Sequence, residues 1–173
     1  PDSLATLQYT GGTTGRSKGV DVVHRAYAYN ISQREALLPS RPDRERILCV
    51  MPLFHVYASH VCLHTAVYAR GTMVILPRYH PEETLRALID EKITIFAGAP
   101  TVYTSLLNYE GFARADLPAL HHSISGSAAL PASVLEQWEA CVGSPVVEGY
   151  GQSEGGPVLT YNPLDGVRKP GSV

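Results

Sequence analysis

Between Tyr9 and Val20 the chain reads Tyr-Thr-Gly-Gly-Thr-Thr-Gly-Arg-Ser-Lys-Gly-Val, a dense set of groups able to hold an oxyanion. The glycines Gly11, Gly12 and Gly15 permit positive φ and let backbone N–H groups come close to a ligand. Thr10, Thr13, Thr14 and Ser17 add hydroxyls, and Arg16 and Lys18 add positive charge. Glycine amides, hydroxyls and a lysine in one loop are the parts of a polyphosphate cradle. The spacing is not that of the common nucleotide loop, because no Gly-x4-Gly-Lys-Ser/Thr string occurs in it. Composition alone leaves a second reading open, a flexible Gly/Thr surface turn.

A second constellation is Glu148-Gly149-Tyr150-Gly151-Gln152-Ser153-Glu154. Tyr150 offers a ring on which a purine can stack, Ser153 a donor to a phosphate oxygen, and Glu154 a hard oxygen ligand for Mg2+. It fails as a dinucleotide fingerprint, since Glu154 stands where the third glycine belongs. Taken alone it is also compatible with a Gly-rich turn bearing one exposed acid. His55, in Met-Pro-Leu-Phe-His-Val-Tyr, reads by itself as a helix-start residue. His60 and His64 are spaced i, i+4, so a metal pair and a satisfied helical pair are both conceivable; the missing Glu after His60 excludes the zinc-protease string. Gly98 lies in Phe96–Thr101, which has the composition of a tight strand-to-helix turn.

Strands and helices alternate behind these residues. Leu4 to Tyr9 reads as a strand feeding the first loop, and Val20 to Val23 as its successor. His24 to Leu38 can form a helix with Ala28, Ile31 and Leu38 on one face, closed by Pro39 and Pro42. Further strands are expected at 47–50, 72–76, 93–96, 123–125 and 146–147. Helices are expected at 55–68, 81–91, 100–108 and 131–141. The helix at Pro81 has proline in its first position, Glu82 and Glu83 in its first turn and Lys92 at its end, as the helix dipole prefers. Such alternation predicts an α/β fold, a mostly parallel sheet with helices on both faces. Ligands of these sheets sit beyond the carboxyl ends of the strands. Breaks at Gly11, Pro52, Gly98, Gly126 and Gly149 each follow a predicted strand, which predicts five loops on one rim. The polar run Arg41–Arg46 marks a seam, dividing the chain into 1–43 and 44–173.

The chain has 173 residues, 45% of them hydrophobic and 17% charged, which suits a globular domain with a real core. A net charge of −2 gives no footing for a nucleic-acid surface. No apolar run approaches the roughly 20 residues of a spanning helix. Cys49, Cys62 and Cys141 are odd in number and widely spaced, which suits reduced thiols in a cytoplasm. The chain has no initiator Met and reads as a piece of a longer protein.

The order of the two main strings closely resembles the AMP-dependent synthetase/ligase (adenylate-forming) family, and the Leu-Gln-Tyr-Thr-Gly-Gly form of the loop its acyl-CoA synthetase branch. The last string matches that family's Gly-Tyr-Gly-x-Thr-Glu with Ser153 for Thr. The resemblance covers the whole chain and implies the middle of a large N-terminal domain. It implies a ligase that activates a fatty or aryl acid with ATP to an acyl-adenylate and passes it to CoA. The alternatives are a domain that loads a carrier protein and a non-catalytic nucleotide-binding module. It further implies that Thr10 to Lys18 hold phosphates, that Tyr150, flanked by Gly149 and Gly151, meets adenine, and that Ser153 meets the α-phosphate and Glu154 the Mg2+. Ser127, Ala128 and Ala129 correspond to a backbone segment edging the adenine, with Ser127 where glycine is usual. His55 is implied beside the acyl carboxylate, gating the thiol channel, with Val56, Tyr57, His60 and Gly98 about the acyl group. Val23 replaces a usual Thr, so a helix-capping hydroxyl is missing. The family's ribose-binding aspartate, hinge and catalytic-lysine domain would follow Val173, so these residues alone are expected to be inactive.

Overall fold

The computed structural model describes residues 1–11 and 15–173. Its centre is a six-stranded sheet in the order β4-β3-β5-β6-β7-β8. The strands are β3 (Arg46–Cys49), β4 (Thr72–Ile75), β5 (Ile95–Gly98), β6 (His122–Ser125), β7 (Val146–Gly151) and β8 (Val158–Tyr161). β3 to β7 run parallel, and β8 is antiparallel to β7. β5 and β6 are buried along their whole length, as expected for strands covered on both faces.

Each face has its own core. On one side Phe96, Tyr103 and Trp138 pack together, with Tyr103 edge-on to Trp138 at 4.7 Å between ring centres. Trp138 Nε1 donates to Ser123 Oγ at 3.0 Å, so its one polar atom is satisfied. Three helices cover this side: α4 (Pro81–Asp90), α5 (Pro100–Leu107) and α6 (Ala132–Val142). On the other side Ile47, Cys49, Ile95, Ala97, Ile124 and Val147 meet Leu38, Val61 and Cys62.

A separate antiparallel pair, β1 (Leu4–Thr10) and β2 (Lys18–Val23), leads into α1 (His24–Leu37). Val23 precedes α1 without a side-chain cap, as its lack of a hydroxyl requires. Ala28, expected on the buried face, is exposed; Asn30, Ile31, Arg34 and Leu38 are buried instead. The face was misassigned because it meets the polar backbone of β8 as well as apolar side chains. The single helix expected at 55–68 is three segments, α2 (Val56–Ala58), a π-helical turn (Ser59–His64) and α3 (Thr65–Tyr68). The wider turn keeps Ala58, Val61, Cys62, Thr65 and Ala66 all buried.

Two expectations about the rim change. Gly11 follows a strand of the hairpin, so only the other four breaks belong to the large sheet. Gly149 does not break β7 but lies inside it, paired with Tyr161 of the unforeseen β8. A Cβ there would run into the Tyr161 ring, so the glycine marks close packing rather than a turn.

Candidate functional site

Thr10 and Lys18 are the last pair of the hairpin, and residues 11–17 join its two strands. Gly15 adopts φ +83°, the left-handed region that glycine enters freely. Gly12, Thr13 and Thr14 lie outside the described residues. Two side chains bind this unit to the sheet rim. Gln8 Nε2 donates to Phe54 O at 2.7 Å, next to His55. Asn30 Nδ2 donates to Val158 O at 2.6 Å, and Asn30 Oδ1 accepts from Val158 N at 3.1 Å. β2, which begins at Lys18, consequently lies against the 3-10 turn Ser153–Gly155 that carries Glu154, with Cα atoms within 8 Å.

Beyond the carboxyl ends of the strands are two adjoining cavities. One of about 210 Å³ is bordered by His55, Val56, Tyr57, Gly126, Ser153 and Tyr161. The other, about 330 Å³, is bordered by Ala128, Ala129, Glu148 and Gly171. Ser127, Gly149, Tyr150 and Gly151 line both, so they form the wall between them. One string thus serves two compartments, and Ser153 faces the first.

His55 caps α2: its Nδ1 accepts from Tyr57 N at 3.2 Å, which leaves Nε2 as the proton-bearing nitrogen. Tyr57 donates its hydroxyl to Ile124 O at 3.0 Å, and burial pushes its pKa well above the usual phenol value. Glu148, read only as part of a string, is buried and acts as a brace. Its Oε1 accepts from Leu130 N at 2.9 Å and its Oε2 from Gly171 N at 3.0 Å. It thereby ties β7 to the segment holding Ala128 and Ala129. Ser127 takes φ +71°, which explains why glycine suits this position.

Glu154 and Lys18 are exposed, and neither makes a side-chain hydrogen bond or ion pair among the described residues. An exposed carboxylate on a tight turn against β2 is of the type that fits Mg2+, which usually takes one or two carboxylates. Not every expected residue reaches the cavities. Gly98 sits behind Tyr57, its carbonyl 3.4 Å from the Tyr57 hydroxyl. His60 is fully buried, stacked near Tyr27, with its Nδ1 3.4 Å from His64 Nδ1. Burial, with the neighbouring His64 and Arg34, lowers the His60 pKa to about 3, so the imidazole is neutral. It is a packed core residue and lines neither cavity. Sequence reasoning passed over Gln8, Asn30 and Tyr161; the one signal available was two amides in otherwise unremarkable elements.

The family model described as AMP-binding enzyme matches residues 1–173. A long-chain-fatty-acid–CoA ligase of Bacillus subtilis is 39% identical over 98% of this chain and 30% of its own length. A mitochondrial malonate–CoA ligase of Xenopus laevis is 35% identical over 99% of this chain and 32% of its own. The crystal structure of ATP-bound MatB from Rhodopseudomonas palustris superposes with a TM-score of 0.89 at 35% identity, covering 99% of this chain and 33% of that one. The chain thus spans about a third of the length of the relatives it matches.

Proposed function

As the chain belongs to the AMP-binding enzyme family, we propose that it is the nucleotide-gripping part of an AMP-forming acid–CoA ligase. The observation that carries this reading is the meeting of β2 with the Ser153–Gly155 turn beside the two cavities. The Bacillus subtilis and Xenopus laevis relatives are named as CoA ligases, and the Rhodopseudomonas palustris structure is titled as ATP-bound, which supports the substrates. The acid is a fatty or aryl carboxylic acid. Residues 1–43 form part of one subdomain and 44–173 a second. The free thiols suit a reducing compartment such as the cytoplasm.

In the first step an oxygen of the acid bonds to the α-phosphorus of ATP while the α–β bridging bond breaks, releasing pyrophosphate. In the second the CoA sulfur bonds to the acyl carbon and AMP leaves. The protein's share of the first step is placement and charge neutralisation. The Thr10–Lys18 loop grips the β- and γ-phosphates, with Lys18 supplying the positive charge. Adenine enters the 330 Å³ cavity beside Ala128 and Ala129, against the Tyr150 ring. Ser153 donates to the α-phosphate, at the mouth of the 210 Å³ cavity that takes the acid. His55 stands beside the acyl carboxylate, where its Nε2–H faces the oxygen that reacts. Glu154 would hold Mg2+, which would supply neutralisation of the triphosphate charge.

The test is pyrophosphate release by the full-length protein with ATP, Mg2+ and a panel of fatty, aryl and amino acids, followed by acyl-CoA detection. Acid-dependent pyrophosphate release with CoA thioester formation is the expected result. Release in which the acyl group never reaches CoA would replace CoA by another acceptor.

A further inference from the structure

Tyr57 and Tyr161 face the same cavity and are held in different ways. Tyr57 is pinned through its hydroxyl to Ile124 O, and its ring lies against Gly126, where a Cβ would come within 3.1 Å of Cζ. Tyr161 rests over Gly149, but its hydroxyl is buried without a hydrogen-bond partner among the described residues. Behind it lies a further space of about 110 Å³, bordered by Asn30, Arg34 and Leu37. Val158 and Tyr161 line both this space and the 210 Å³ cavity, so they are the partition between the two.

A buried hydroxyl left unbonded gives the partition nothing polar to lose when the ring is removed. We infer that Tyr161 sets the length of acid that the enzyme accepts, ending the acyl chain at the far wall of the first cavity. This rests on the acid–CoA ligase reading above. Without the ring, the chain continues between Leu37 and Val158 into the space behind.

The experiment measures kcat/KM for pyrophosphate release by the full-length protein over straight-chain acids from acetate to palmitate. Wild type peaks at one chain length. Tyr161→Ala moves the peak several carbons longer, with a gain of up to about fourfold for each methylene that meets Leu37 or Val158 and less for one that meets Asn30 or Arg34. Tyr161→Leu, a milder change that protects the fold, moves it less in the same direction. Tyr161→Phe retains the wild-type peak, because the hydroxyl makes no bond. A folded and active Tyr161→Ala or Tyr161→Leu with the wild-type peak overturns the inference while leaving the ligase reading intact. Absence of acid-dependent release by wild type at every chain length overturns both.

Discussion

The two rims of the large sheet are built from similar residue types and treat their charges in opposite ways. At the amino ends, Glu45 is 1% exposed and accepts from Arg41 N at 2.5 Å, from Thr94 Oγ1 and from His121 Nε2 at 3.0 Å. Arg46 pairs with Glu91, and Arg70 grips Asp43 through two bonds at 2.7 and 2.6 Å. At the carboxyl ends Glu154 and His55 are exposed, as is Lys18 on the adjoining hairpin, and Tyr150 shows half its surface. There the bonds are made by helpers, Gln8, Asn30 and Glu148, which hold backbone in place. Charges consumed by the fold are structural; charges positioned but left free are available to a ligand.

The sharpest contrast comes from removing one acid at each rim. Glu154→Gln in the full-length protein is expected to cut pyrophosphate release by about 10²–10³-fold while leaving stability within about 0.5 kcal/mol. Glu45→Ala should do the reverse, costing about 3 kcal/mol of stability by stranding its buried partners, with turnover per folded molecule retained. Activity and denaturant titrations on both variants decide it; a Glu154→Gln protein that is destabilised and active would erase the distinction.

The amino-end rim also predicts how acid acts. Burial pushes the Glu45 carboxyl up, but hydrogen bonds from His121, Thr94 and Arg41 outweigh it and hold the pKa below the usual range. Its folded pKa is depressed, so its stabilisation is present above the unfolded value of about 4.3 and is lost as pH falls below it. His60 and His122 are lowered, mainly by burial, to about 3 and about 4. Unfolded histidine takes up a proton near pH 6.5, so these two begin to destabilise the fold as pH falls below that value. Unfolding free energy should therefore decline from about pH 6.5 and keep declining below about 4.3, where the loss of the Glu45 contribution takes over from the two histidines; a flat profile between pH 7 and 4 contradicts this.

Smaller effects refine the carboxyl-end rim. Asn30→Ala should cost about 1–3 kcal/mol by leaving Val158 N and O unpaired, and should raise the KM for ATP because the loop loses an anchor. Ser127→Gly should add about 1 kcal/mol of stability by relieving the left-handed backbone, measured by denaturant titration. Either change with no effect would mean that the rim is held by other bonds.

The alternation of apolar runs and proline-led helices carried the sheet and its covering layers into view, because periodicity reports burial directly. The Thr10–Lys18 and Tyr150–Glu154 strings stood out because the chemistry proposed for them lies in residue order and not in periodicity. Strand β8 and the course of β7 were not: glycines that usually signal a turn here make room for the Tyr161 ring and for the Pro157 carbonyl. Arg34 and Asn30 were passed over on α1 because polar residues on a buried face have no periodic signature. His60 was drawn towards the acyl pocket by its place near His55, but the π-helical turn carries it to Tyr27.

One measurement reaches the central claim, that the hairpin loop and the Glu154 turn grip the same nucleotide. It is a double-mutant cycle on the affinity of the full-length protein for ATP in the presence of Mg2+, with Lys18→Ala, Glu154→Gln and both together. A shared triphosphate predicts strong non-additivity, a coupling of roughly 0.5–3 kcal/mol. Losses that simply add would mean that the two rims of that loop and turn never hold one ligand between them.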